Sequence, residues 1–172
     1  MRRPVAVRVV GPTQWIFIPA LITVAATILL ATPVELFGLS LPEPVIPMVL
    51  AFAWPLIRPS IIAPVILMAL GLFLDIFWYG PLGVWALSLL GIYAVVLGSR
   101  AFLIGQETAV LFVWYAACCC VAFLLAYLIV GIKAGNAPSI LSLLGQVFPT
   151  LLLFPFADRM IERFEDGDVR FR

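Results

Sequence analysis

The sequence predicts an all-α polytopic membrane protein, with six transmembrane helices in one bundle. Three observations predict it: the composition, six apolar segments of spanning or near-spanning length, and the placement of arginine. Of the 172 residues, 65% are hydrophobic and 11% charged. A soluble domain is about 45–50% apolar and about 25% charged. The mean hydropathy is +1.20. No soluble fold of this length hides that much apolar surface, so the solvent is lipid.

Crossing a hydrocarbon core of about 30 Å takes about 20 helical residues. The candidate segments are 14–34, 44–57, 60–78, 82–99, 108–132 and 138–157. The first follows the basic start "MRRPVAVR" and resembles a signal peptide. Its apolar run is longer than a signal core, and no A-x-A site follows, so a retained helix is expected. The second segment is short and carries Pro44, Pro47 and Pro55. It is expected to be broken or kinked, with Leu36–Leu41 adding irregular length. The fourth opens just after the turn "YGPLG". There Gly80 is expected to supply unusual backbone angles, and Pro81 the first position of the new helix. Residues 1–157 form the membrane domain, and 158–172 a short polar tail. In that tail Met160, Ile161 and Phe164 can form one apolar stripe on a solvated helix end, a membrane-surface helix or a docking site; five acids balance four arginines there, so weak attraction to anionic lipid is expected.

Orientation follows from charge. With the N-terminus inside, six crossings put Arg2, Arg3, Arg8, Arg58, Arg100, Arg159, Arg163, Arg170 and Arg172 on the cytoplasmic side. That is nine of the ten basic residues, as the positive-inside rule requires. Both termini are therefore expected in the cytosol. Trp15, Trp78, Tyr79 and Trp114 fall near predicted span ends, as an aromatic belt does.

The chemistry is sparse. The net charge of +1 and the lack of a basic patch argue against a nucleic-acid partner. There is no histidine, which removes His-dependent triads and histidine metal sites. Signatures of the G-x-S-x-G, H-E-x-x-H and P-loop types are absent. No enzyme activity and no cofactor are expected. Cys118, Cys119 and Cys120 are consecutive; on a helix they point about 100° apart and suit neither a disulfide nor a shared metal.

Asp75 is the exception, a carboxylate inside "GLFLDIFWYGPLG". A charge at the bilayer centre costs about 2.5–3.5 kcal/mol on insertion scales. Asp75 lies roughly 9 Å past the middle of its span on the outer side, which lowers that cost. Helix four starts on the same side, and its first amides lack intrahelical partners. Asp75 is expected to satisfy the turn or an adjoining helix end; proton relay or cation binding is the functional rival. Arg58 and Pro59, in "WPLIRPS", are expected to snorkel and to stop a helix, respectively. Small residues at four-residue intervals mark close helix contacts. They form stripes at Cys118, Ala122 and Ala126, at Thr23, Thr27 and Ala31, and at Ala94 and Gly98. One stripe is a candidate dock for a helix of another protein.

The proline-rich second segment ending in "WPLIRPS", followed by "GLFLDIFWYGPLGVWALSLL", resembles the bacterial rod-shape-determining MreD family. Gly71, Leu72, Asp75, Gly80, Pro81, Leu82 and Gly83 carry the match, within about residues 54 to 90. The resemblance implies an inner-membrane, non-catalytic component of the cell-wall elongation machinery. Its implied partners are MreC and, through it, MreB, with RodA and a class-B penicillin-binding transpeptidase alongside. It also implies a fold similar to the six-helix substrate-binding subunits of energy-coupling-factor transporters. A vitamin-binding subunit of that kind is the alternative function, and a proton-coupled permease a third.

Overall fold

The computed structural model describes residues 8–11, 13–30, 35–36, 39–40, 43–134, 140–165 and 169–171. The described chain is built of helices, with two minimal strand ladders. Strand β1 (Arg8–Val10) leads to one π-helical turn (Thr13–Phe17) and α1 (Ile18–Leu30). Strands β2 (Glu35–Leu36) and β3 (Leu39–Ser40) pair antiparallel. Then come α2 (Pro47–Ile57), α3 (Ile62–Phe77), α4 (Val84–Leu103), α5 (Thr108–Ala134), α6 (Ile140–Leu151) and α7 (Phe154–Glu165). Strand β4 (Val169–Phe171) closes the order, parallel to β1, and so brings the first and last described segments together.

Among the described residues, three helices are long and apolar enough to cross a membrane: 13–30, 84–103 and 108–132. Helices α2 and α3 are apolar but shorter. This is a helical membrane protein by composition and helix length.

Helix α2 is the hub. Every residue from Pro47 to Leu56 is buried, and the helix packs on α4, α7, α3, α1 and α5. Its 11 residues reach only about 16 Å. Of the break or kink expected of this segment, the break is absent: the helix runs from Pro47 to Ile57 with Pro55 inside it, and it starts later than the segment. Pro47 occupies its first turn, where a missing N–H costs nothing. The residues before it, 43–45, are outside any helix. Their backbone must then find side-chain partners, and the Val45 amide finds Thr150 Oγ1 at 3.1 Å. Thr150 donates in turn to the Gln146 carbonyl at 2.8 Å, and its own carbonyl accepts Tyr115 Oη at 3.0 Å. One buried threonine thus joins the approach to α2, α5 and α6.

At the other end of α2, Arg58 is extended and its amide returns to the Trp54 carbonyl. The loop after it is pinned by α4: Tyr93 Oη donates to the Ser60 carbonyl at 3.1 Å and accepts the Ser60 amide at 3.4 Å. Ser60 Oγ accepts the Ile62 amide at the start of α3. Helix α4 stops at Gly105, whose φ of +77° terminates it. The break between α6 and α7, at 152–153, has a covalent cause. Pro155 has no amide for the Leu151 carbonyl, and its ring crowds that position, so the helix restarts at Phe154.

Two sequence expectations change here. Trp15 is not part of an interfacial belt; it is 2% exposed, and its carbonyl accepts Trp54 Nε1 at 3.0 Å. The Met160, Ile161 and Phe164 stripe of α7 turns toward the core rather than lying wholly open, with Met160 and Phe164 still partly exposed. Ile161 is buried, and Met160 and Phe164 pack against the same core.

Candidate functional site

The turn between α3 and α4 gathers the residues that stood out in the sequence. Helix α3 ends with Tyr79 at φ +53°. The Tyr79 amide reaches the Ile76 carbonyl, and the Gly80 amide the Asp75 carbonyl at 2.8 Å. This is a Schellman ending, in which the last orphan carbonyls of a helix are satisfied from beyond it. Next, Pro81 to Val84 form a type II turn. The Val84 amide points to the Pro81 carbonyl, and Gly83 has φ +94° and ψ −7°.

Asp75 ties the two halves together. Its Oδ2 accepts the Gly83 amide at 2.7 Å, and its Oδ1 accepts the Trp85 amide at 2.9 Å. The residue is 1% exposed. Both donors sit at the N-terminus of α4, where the helix dipole favours an anion. Hydrogen bonds to a charged group contribute about 1.5–3 kcal/mol each. Two of them offset the insertion cost of about 2.5–3.5 kcal/mol for a central carboxylate. The Asp75 backbone carbonyl therefore ends α3, while its side chain starts α4.

Gly71 lies one helical turn before Asp75, on the same face. It has no room for a Cβ because the backbone of Trp85 and Ala86 lies against it. That approach brings the first turn of α4 within reach of a side chain as short as aspartate. Two glycine and proline assignments move. The positive φ angles belong to Tyr79 and Gly83, not Gly80. Pro81 opens the β-turn and precedes the helix, which starts at Val84 with Gly83 as its cap. The reason is that the chain reverses within residues 81–84 before it coils.

Aromatic contacts extend the site across the same end of the bundle. Trp78 meets Trp85 edge-on at 5.6 Å, and Trp85 meets Phe123 of α5 at 5.3 Å. Trp78 Nε1 donates to Glu43 Oε2 at 2.6 Å. Beside Asp75 lies a cavity of about 270 Å³ bordered by Trp85, Phe123, Ala126, Tyr127 and Gln146. Among the described residues, no group of three Cys, Asp or Glu side chains gathers as a metal site needs.

The other candidates fall elsewhere. Arg58 is half-buried and Pro59 exposed, at the opposite end of α3. Cys118, Ala122 and Ala126 are 3%, 0% and 6% exposed and belong to the core. That stripe packs inside the molecule and presents no docking face. Thr23 and Thr27 are likewise buried, Thr27 Oγ1 donating to the Thr23 carbonyl; Ala31 lies outside the described residues. On α4, Ala94 and Gly98 are exposed, and a Cβ on Gly98 would meet nothing within 4 Å. Sequence reasoning missed Thr150, Tyr115 and the Trp54–Trp15 bond, which carry no charge to mark them. Comparison with known proteins adds nothing to this geometry: no family model, no curated protein and no solved structure matches the chain.

Proposed function

We propose that the protein is a non-catalytic membrane scaffold of the bacterial cell-wall elongation complex, of the MreD type. In this reading it crosses the inner membrane six times with both termini cytoplasmic, and its helical surface binds a single-span partner such as MreC. One observation carries the reading. Both Asp75 oxygens are used by backbone amides, so the one carboxylate that sequence analysis placed deep in a span acts as a clamp between two helices. A relay or cation site needs a carboxylate free to exchange partners. The stretch that resembles the MreD family, 71–83, folds as one unit around this clamp. Pairing of β1 with β4 supports an even number of crossings. Of the three small-residue stripes, the Ala94–Gly98 face of α4 remains open to a partner helix.

The vitamin-binding alternative has less support. The cavity beside Asp75, about 270 Å³, lies at the small end of the range of roughly 300–1,000 Å³ for small-molecule sites, and both Asp75 oxygens on its wall are already engaged by amides. The test is a pull-down in mild detergent followed by mass spectrometry, with native protein and Gly98→Leu. Recovery of MreC and wall synthases by native protein, reduced in Gly98→Leu at unchanged thermal stability, supports the scaffold. Recovery of an ATPase module or a co-purifying vitamin overturns it.

A further inference from the structure

We propose that the groove between the start of α1 and α7 binds one anionic glycerophospholipid, a site independent of the scaffold reading. The groove encloses about 560 Å³. Gln14, Ile18 and Ile22 line one wall, and Phe156, Arg159 and Arg163 the other. Arg159 and Arg163 are four residues apart, and so project along one face of α7. Asp158 and Glu162 do not line the groove, although Glu162, three residues after Arg159, is its neighbour on the helix surface. Among the described residues the lining therefore holds two cations, one amide and an apolar track and no acid, unlike the tail as a whole, whose five acids balance its four arginines.

That track is not covered by protein: Ile18, Ile22 and Phe156 are 46%, 62% and 61% exposed. A free anion satisfies the guanidinium groups and leaves the track bare. An acyl chain alone covers the track and leaves both charges unanswered. A phospholipid does both, its phosphate accepting the forked donors of arginine and a chain lying over Ile18 and Ile22. Net negative charge matters because the amine of a zwitterionic headgroup opposes the two arginines.

The test uses the full chain in neutral detergent, titrated with phosphatidylglycerol or phosphatidylcholine, with bound lipid counted by native mass spectrometry. Native protein retains one phosphatidylglycerol, about tenfold more tightly than phosphatidylcholine, the worth of one charge-assisted hydrogen bond. The double variant Arg159→Gln/Arg163→Gln loses that preference. Ile22→Trp fills the track, keeps both arginines and weakens retention, so the outcome does not rest on the double variant folding. Asp158→Asn/Glu162→Gln keeps the preference. Equal retention of the two lipids by native protein overturns the proposal. So does an undiminished preference in the arginine variant, or equal competition by glycerol phosphate.

Discussion

Gly71 lies so close to Ala86 that an added Cβ would stand 2.3 Å from the Ala86 Cα and 2.5 Å from its amide nitrogen. Both contacts are with backbone, which cannot rotate away. Helix propensity alone favours alanine over glycine by roughly 0.5–1 kcal/mol. The overlap forces helices apart and costs about 1–3 kcal/mol or more, so it decides the sign. Gly71→Ala is expected to lower the thermal unfolding temperature of the purified protein. Gly98→Ala, with open space around it, leaves that temperature unchanged or raises it.

Asp75→Leu strands two amides, the part-buried one of Gly83 and the buried one of Trp85. Each unsatisfied group costs about 1–3 kcal/mol. Asp75→Asn keeps a carbonyl acceptor for one of them, so its loss is about half as large. Thermal unfolding of the two variants side by side reads the difference. A leucine variant as stable as the native protein would sink the clamp.

Glycines 80 and 83 separate conformational demand from space. Gly83→Ala places a Cβ at φ +94° and is expected to cost about 1–2 kcal/mol. At Gly80 a Cβ comes no nearer than 3.8 Å to the Asp75 carbonyl oxygen, ordinary contact distance. Gly80→Ala therefore stays within about 0.5 kcal/mol. Chemical denaturation in mixed micelles is a suitable readout.

The Thr150 junction gives an ordering between two conservative changes. Tyr115→Phe removes one hydrogen bond to a carbonyl, worth about 0.6 kcal/mol on average inside membrane bundles. Thr150→Val removes the acceptor of the Val45 amide, leaving a buried donor unsatisfied at about 1–3 kcal/mol. The valine variant is expected to unfold first on heating. The reverse order would mean that the Val45 amide has another partner.

How much of this was legible in the sequence depended on charge and on distance along the chain. Asp75 stands out because a carboxylate is conspicuous in an apolar run, and its donors are only 8 and 10 residues away. The Tyr115–Thr150 and Trp54–Trp15 bonds span 35 and 39 residues, each running from a neutral side chain that looks like any other core residue to a backbone carbonyl. Gly71 could be singled out by resemblance, but its reason could not, since a glycine's neighbours are invisible without coordinates. The Cys118 stripe is smooth in the sequence, which leaves open packing within the bundle or reception of a partner helix; its burial is that of bundle packing. Small residues mark close approach equally well inside a bundle and at its surface. Helix α2 misled in another way. Buried on every side, it has no polar face, and so reads like a lipid-exposed span cut short.

The central position of α2 sets a constraint on biogenesis. Ribosomes deliver segments in order, yet this early helix has its flank covered by α7, which is made near the end of the described chain. The nascent protein must therefore hold α2 with that flank unpacked until its last neighbour arrives. Assembly can finish only after residues 154–165 leave the exit tunnel.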